Sequence, residues 1–570
     1  MAMKKTNSLH LLSTATFVII FLTFACSAPE YGGEKFDRGV VALTIDENTM
    51  YVGWRLLEED PHDVSFNVYR MDIGESDFKK ITTEPVTGST NFIDTGVRPD
   101  MGYRYRITRI ADGIEQETPG TGYAFNRGMN KPYISIKLRD DVIPNKIGIA
   151  DLTGDGAYDF VIQHPRFNVD PWFREGYWRR SSEPYKLDAY SSRGEFLWRY
   201  DMGWAIETGT WYAPYIVYDL DGNGKADVFT KAGEGDPREI CGRVLTGSEY
   251  LVRIDGRTGE ITGKTNWIPR DDFESYNRWS RNFLTVAWLD GTKPSLVLLR
   301  GTYGVIKVQT LDNNFNTIWQ WESTGEYDDF KGRGAHNILV ADIDGDGKDE
   351  LIPGTFALDN DGTPLWHLDL RHNDVGQIGN IDPDRPGLEI FYGIESGRPE
   401  RNGVCLVDAL TGEILWGYDG PTYHIHGRGM IGNIDPGHPG MECYAGEQRV
   451  DKYFLYNSKG ELISDQSFGT LSPYALWWDD DEYKEINVGQ DVFKFNGDTL
   501  LQIEGRVLAV ADILGDWREE IITALPGEIR IYSTSIPATS RKVCLMQDRM
   551  YRTGVAGFSM GYPAQAQLGR

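Results

Sequence analysis

The sequence predicts an all-β protein, and three observations carry that reading. Glycine takes 64 of 570 positions, beside 30 Tyr and 16 Trp, against an average glycine share of about 7%. That composition suits many turns between aromatic-rich strands. Short alternating stretches such as MYVGWRLLEEDPHDVSFNVYR and YRYRITRI read as strands broken by turns. From about residue 130 a unit recurs: a strand, an acidic glycine-rich turn, a strand, then a Trp-bearing strand such as GEFLWRYDM, FNTIWQWES, GTPLWHLDL or GEILWGYDG. Repeats of this kind mean stacked blades.

Taken in chain order, residues 1–26 read as an export signal. Lys4 and Lys5 precede an apolar run over residues 11–25, and Cys26 after Ala25 is the candidate acylated residue of a lipoprotein. The expected location is therefore the cell surface or outer membrane, or the medium if the cysteine is incidental. Residues 33–125 predict a fibronectin-like β-sandwich, with the turn-like Asp60-Pro61-His62-Asp63 between two of its strands. Residues 130–570 predict a seven- or eight-bladed β-propeller around a channel, holding the catalytic site. About 150 residues per domain would give three or four domains; the repeat reduces that to two. A formal charge of −27 argues against nucleic acid or an anionic membrane as partner, leaving only a lipid anchor as membrane attachment. Cys241, Cys405, Cys443 and Cys544 show no C-x-x-C pairing, which argues against a zinc site. The protein is expected to be a monomer.

The acidic turns start at 151, 219, 342, 380, 433 and 512, with a degenerate copy, WLDGTKPS, near Asp290. In the fuller copies, oxygen-bearing residues at positions 1, 3, 5 and 9 fall on one side of a loop whose glycines permit positive φ. A hard, oxygen-seeking cation needs that arrangement. Several structural calcium ions are expected. The candidate ligands are Asp151, Asp155 and Asp159; Asp219, Asp221, Asn223 and Asp227; Asp342, Asp344, Asp346 and Glu350; Asn380, Asp382 and Glu389; Asn433, Asp435 and Glu442; and Asp512, Asp516 and Glu520.

The strings IVYDLDGNGKADV, GRVLTGSEYLVRIDGRTGE, DPDRPGLEIF, GRGMIGNIDPGHPGME, ADILGDWREEII and LMQDRMYRTGVAG, in that order, resemble the rhamnogalacturonan lyases of polysaccharide lyase family eleven from about Arg38 to the end. The resemblance implies a small β-domain followed by an eight-bladed calcium-bearing propeller, and eliminative cleavage of a rhamnose–uronate backbone. It also implies a catalytic role for Arg428, in Gly-Arg-Gly, and carries over His372 and Tyr562. Where that family has a lysine-bearing string ahead of GDWREE, this chain has LQIEGRVLAVAD, with Arg506. That change fits a relative acting on ulvan as well as one acting on rhamnogalacturonan.

Elimination needs the uronate carboxylate neutralised, a base for the C5 proton and a proton for the departing O4. Tyr423-His424-Ile425-His426-Gly427-Arg428 concentrates such groups. As a strand it would put His424, His426 and Arg428 on one face. Arg428 is the expected carboxylate partner, His426 or His424 the base, and His372 an orienter or acid. Tyr551, Arg552 and Tyr562 are placed near the channel mouth. Arg174 and Trp178, in the aromatic- and arginine-rich insert HPRFNVDPWFREGYWRRSSEP, and Arg506 are expected to bind acidic polysaccharide. A noncatalytic calcium-dependent carbohydrate-binding or adhesion propeller is the alternative. A glycoside hydrolase would need a carboxylate pair that the sequence does not nominate.

Overall fold

The structure, a computed structural model, describes Met1 and residues 31–125, 132–172, 178–471, 473–560 and 562–568. The export signal with Cys26, and Arg174, lie outside the described residues. The fold is all-β. The N-terminal unit has a three-stranded sheet (Val41–Asp46, Thr49–Gly53, Asn91–Asp94) and a five-stranded one (Lys79–Lys80, Ser65–Asp72, Gly102–Ala111, Ile114–Glu117, Gly122–Phe125). Both sheets contribute to one core, with Val52 and Trp54 meeting Phe66, Val68, Tyr105 and Ile107. Strand alternation accounts for it: Phe66 and Val68, two residues apart, share a face.

Eight four-stranded antiparallel sheets follow. Their first strands are Lys146–Ala150, Tyr215–Tyr218, Asn282–Ala287, Gly334–Ala341, Asn373–Gly379, Met430–Gly432, Tyr474–Leu476 and Arg506–Ala511; we number the sheets 1 to 8 in this order. First strands of sheets 1 to 5 touch in succession, as do those of 6 and 7, and that of sheet 8 touches sheet 1. The fourth strand of sheet 8 is Tyr133–Lys137, which precedes sheet 1 in sequence and pairs with Glu528–Tyr532. The first strands are almost wholly buried runs such as Lys146-Ile-Gly-Ile-Ala150, as strands covered on both faces must be.

The recurrent tryptophan explains how neighbouring sheets interlock. Trp198, Trp319, Trp366 and Trp416 donate their indole N–H to carbonyls of Gly256, Asn360, Ala409 and Ser458, each in a turn of the next sheet, at 2.7–3.0 Å. The same turns carry Gly259, Gly362, Gly412 and Gly460 at positive φ, so close to the indole that an added Cβ would lie 2.6–2.8 Å from it. Glycine is required there on both counts.

The helix Arg549–Ala556 packs against the first strands of sheets 1, 2, 3, 4 and 8. Two expectations change as a result. Tyr551 and Arg552 do not line a channel mouth. The Tyr551 hydroxyl donates to Glu519 at 2.7 Å and accepts from the Asp512 N–H, while buried Arg552 donates from Nε and Nη2 to the Glu34 carboxylate at 2.6–2.9 Å and lies over the Tyr218 ring. Both residues fasten the helix in place.

Candidate active site

The acidic turns join the first and second strands of their sheets, so they sit at one end of the first strands; residues that open those strands sit at the other, about 20 Å away for six residues. At the turn end, carboxylates accept backbone N–H groups: Asp151 takes those of Thr153, Gly154 and Gly156 at 2.6–3.0 Å. Burial drives Asp159, Asp219 and Glu442 up to about 7 and Glu350 and Asp512 to about 8, and neighbouring carboxylates push the same way. Asp342, Asp344 and Glu350 place three oxygens close enough to share a cation. Sequence reasoning missed a similar group in sheet 7, Asp479, Asp481 and Glu485, because its turn lacks glycine.

Several turns already hold a basic side chain. Lys494 Nζ pairs with Asp479 at 2.6 Å and with Asp481, and lies 3.6 Å from Glu485. Lys459 Nζ lies 2.5 Å from Asp382 and 2.8 Å from Asp384. Arg518 pairs with Asp516 at 2.7 Å, and Arg253 joins Asp227 at 2.5 Å to Asp221 at 3.1 Å. Asp435 accepts from His438 at 2.9 Å, and Asp346 from Lys348.

The opposite end gathers His336, His372, Asp374, Glu395, His424, His426 and Tyr562. Asp374 Oδ1 lies 3.3 Å from His372 Nε2 and 3.5 Å from His336 Nε2, and Oδ2 accepts the Gly427 N–H at 3.1 Å. Glu395 sits 3.6 Å from His372 and 3.7 Å from His424. His336 stacks on Trp211 at 4.2 Å between ring centres and meets Tyr562 edge-on at 5.5 Å. Burial pushes His336 well below the usual imidazole range and His424 down to about 4, and raises the Tyr562 phenol. His336, His372 and Asp374 could hold a cation, and the His336 Nδ1 is buried without a partner among the described residues. Two imidazoles and one carboxylate fit a divalent metal softer than calcium better than calcium itself.

The expectation of one strand face for His424, His426 and Arg428 is not met. Gly427 at φ +90° and Gly429 at φ +62° turn the chain, and a Cβ on Gly427 would meet the Thr470 carbonyl at 1.7 Å. His424 and His426, which precede the turn, keep a shared face and stack 5.6 Å apart, and only Arg428 departs, lying over the Tyr474 ring at 3.2 Å. Trp178 meets Tyr276 edge-on, with Arg243 over its face at 4.3 Å.

Two buried basic residues at this end differ from the others in their pairing. Seven arginines and three lysines are buried among the described residues. Eight of these ten hold a carboxylate: Arg38, Arg55, Arg281, Arg300, Arg518, Arg552, Lys231 and Lys484. The exceptions are Arg428 and Lys146. Arg506 also lacks a carboxylate among the described residues; its Nη2 donates to the Pro144 and Asn145 carbonyls at 2.9 and 2.7 Å, and Arg166 repels it. Burial takes Arg506 down to about 10. Lys146 was not singled out from the sequence, nor was His336. Counting back five or six residues from each acidic turn reaches Lys146, His336, Asp374 and Arg506, and that register is the signal that could have found them.

Such a scaffold, with an uncompensated cationic face beside histidines, carboxylates and a tyrosine at one end of the repeated sheets, matches one family across most of its length. Residues 32–123 match the "Rhamnogalacturonan I lyases beta-sheet domain" and residues 141–568 the "Rhamnogalacturonan lyase family 11, C-terminal domain"; the chain belongs to rhamnogalacturonan lyase family 11, a family of polysaccharide lyases. Among its relatives, rhamnogalacturonan endolyase YesW of Bacillus subtilis is 32% identical, covering 96% of this chain and 93% of that protein. Rhamnogalacturonan exolyase YesX of the same organism is also 32% identical, covering 93% of each. The crystal structures of YesX and YesW and that of a Bacillus licheniformis rhamnogalacturonan lyase each align with a TM-score of 0.84, at 31–32% identity over 94–95% of this chain and 96–97% of theirs.

Proposed function

We propose that the protein cleaves the rhamnose–galacturonate backbone of rhamnogalacturonan I by β-elimination, leaving an unsaturated uronate at the new end. The observation that carries this is the guanidinium set of buried Arg428, half-buried Arg506 and exposed Arg166, without carboxylate partners among the described residues, in an acidic protein. A buried unpaired cation costs several kcal/mol, and its retention points to a ligand carboxylate that completes it on binding. Relatives over 90% of the chain that bear the rhamnogalacturonan lyase name support the substrate. The adhesion alternative has no comparable support.

In this reading the arginines hold the uronate carboxylate as charge develops on it, and Tyr562, whose raised pKa keeps the phenol protonated, donates to O4 of the departing sugar. His424 and His426 orient substrate hydroxyls. A divalent cation held by His336, His372 and Asp374 would supply Lewis-acid polarisation of a bound oxygen. Calcium would occupy the turn of Asp342, Asp344 and Glu350, tying first strand to second at the far end. We read the eight sheets as propeller blades, which the contact of sheet 8 with sheet 1 supports, and the two N-terminal sheets as a sandwich. Export is read from residues 1–26 alone. Ultraviolet absorbance of unsaturated uronate, followed separately on rhamnogalacturonan I and on ulvan, tests the function. Product from rhamnogalacturonan I is expected. Product from ulvan alone would refute the substrate, and product from neither the reaction.

A further inference from the structure

We propose that Lys146 is the catalytic base, its Nζ taking the C5 proton of the uronate. The inference rests on the lyase reading above and deepens it.

Lys146 opens the first strand of sheet 1, at the end where Tyr562 and the histidines gather. It is buried, and among the described residues its side chain makes one hydrogen bond, from Nζ to the Thr210 carbonyl at 3.0 Å. A neutral amine can keep that bond as donor while its lone pair stays free to accept a proton. The neighbour that acts on it is Arg506 of sheet 8, fixed by its bonds to the Pro144 and Asn145 carbonyls on the residues just before Lys146. No carboxylate among the described residues faces it from sheet 1, 2 or 8. Desolvation and a like charge act in the same direction, disfavouring the ammonium, and take Lys146 down to about 7. Lys231 and Lys484, equally buried, are held by Glu249 and Glu519; Lys146 has been left without that counter-charge.

The step balances without a further reactant. The Nζ lone pair takes the C5 proton, the C5–H electron pair forms the C4–C5 double bond, the C4–O4 bond breaks, and the leaving O4 takes the Tyr562 phenolic proton. Lys146 then returns its proton to solvent, and the phenolate regains one from it.

The test is kcat and KM on rhamnogalacturonan I across about pH 5 to 10 for the native protein, Lys146→Arg, Lys146→Met and Lys146→Ala, with circular dichroism to confirm folding. Native kcat should rise through a limb near neutrality. Arg keeps the charge but not a titratable amine, and Met keeps the shape, so both should lower kcat by roughly 10²–10⁴-fold with KM within about threefold. Added ethylamine should restore part of the activity of Lys146→Ala. If Lys146→Arg keeps kcat and the pH limb, or if the variants change KM alone, Lys146 is a binding residue and the assignment falls. An inactive native protein would overturn the rhamnogalacturonan reading itself, and this assignment with it.

Discussion

Of the four Trp–Gly contacts, that of Gly460 with Trp416 is the tightest. Its φ is +83°, and a Cβ would stand 2.6 Å from Trp416 Cγ and 2.9 Å from Cδ2. Alanine there forces a left-handed backbone on an L-residue, at about 1–2 kcal/mol, and pushes a methyl into an indole fixed by its bond to the Ser458 carbonyl. Overpacking of this kind costs about 1–3 kcal/mol, so Gly460→Ala should destabilise by about 2–5 kcal/mol. Gly235 is the control: φ is +74° but nothing lies within 4 Å of its added Cβ, so Gly235→Ala should cost the backbone part alone, about 1–2 kcal/mol. Urea unfolding followed by tryptophan fluorescence reads both. If the two variants lose the same stability, the Trp–Gly contact does not lock neighbouring sheets. The same result would undermine the equivalent contacts at Gly259, Gly362 and Gly412.

Tyr562→Phe should fold normally, since its ring packs on Trp211 and His336, and should lower kcat by roughly 10²-fold or more; steady-state elimination assays check it. Lys494→Met should leave Asp479, Asp481 and Glu485 uncompensated, lowering the unfolding midpoint in chelator by an equivalent of about 1 kcal/mol. Added calcium should restore it, whereas the unaltered turn should respond little to chelator. Lys146→Met should change how stability varies with pH. With a folded pKa of about 7 and an unfolded value near 10.4, Lys146 lowers native stability fully below pH 7, and that penalty fades as pH rises to about 10.4. The variant should therefore be more stable than the native protein at pH 6 and lose the advantage by pH 10, as paired urea melts would show.

Much of the architecture was legible because it is written locally. Acidic turns, alternating strands and the Trp-bearing fourth strand each carry their own chemistry, so Asp219-Leu-Asp-Gly-Asn-Gly announces a turn wherever it stands. Sheet 7 escaped because Asp479-Asp-Asp reaches the same end without glycine. The site was less legible. His372, Asp374 and His426 meet only after sheets 5 and 6 are assembled, and the Tyr423–Arg428 string misled because Gly427 breaks the alternation that a period-2 reading assumes. Lys146 gave no local signal: its character comes from burial and from a guanidinium 360 residues later (506 − 146), neither of which a linear string displays.

The borrowed strand of sheet 8 sets a timetable for synthesis. Lys137 pairs with Glu528, so 391 further residues (528 − 137) must be made before its partner exists. At roughly 5–20 residues per second, the strand Tyr133–Lys137 waits on the order of 20–80 s for its partner. During that interval Tyr-Ile-Ser-Ile-Lys is an uncovered edge able to pair with another nascent chain. Crowded or slowed translation should thus cost this protein yield before it costs stability, and a chaperone that shelters the early chain should recover it.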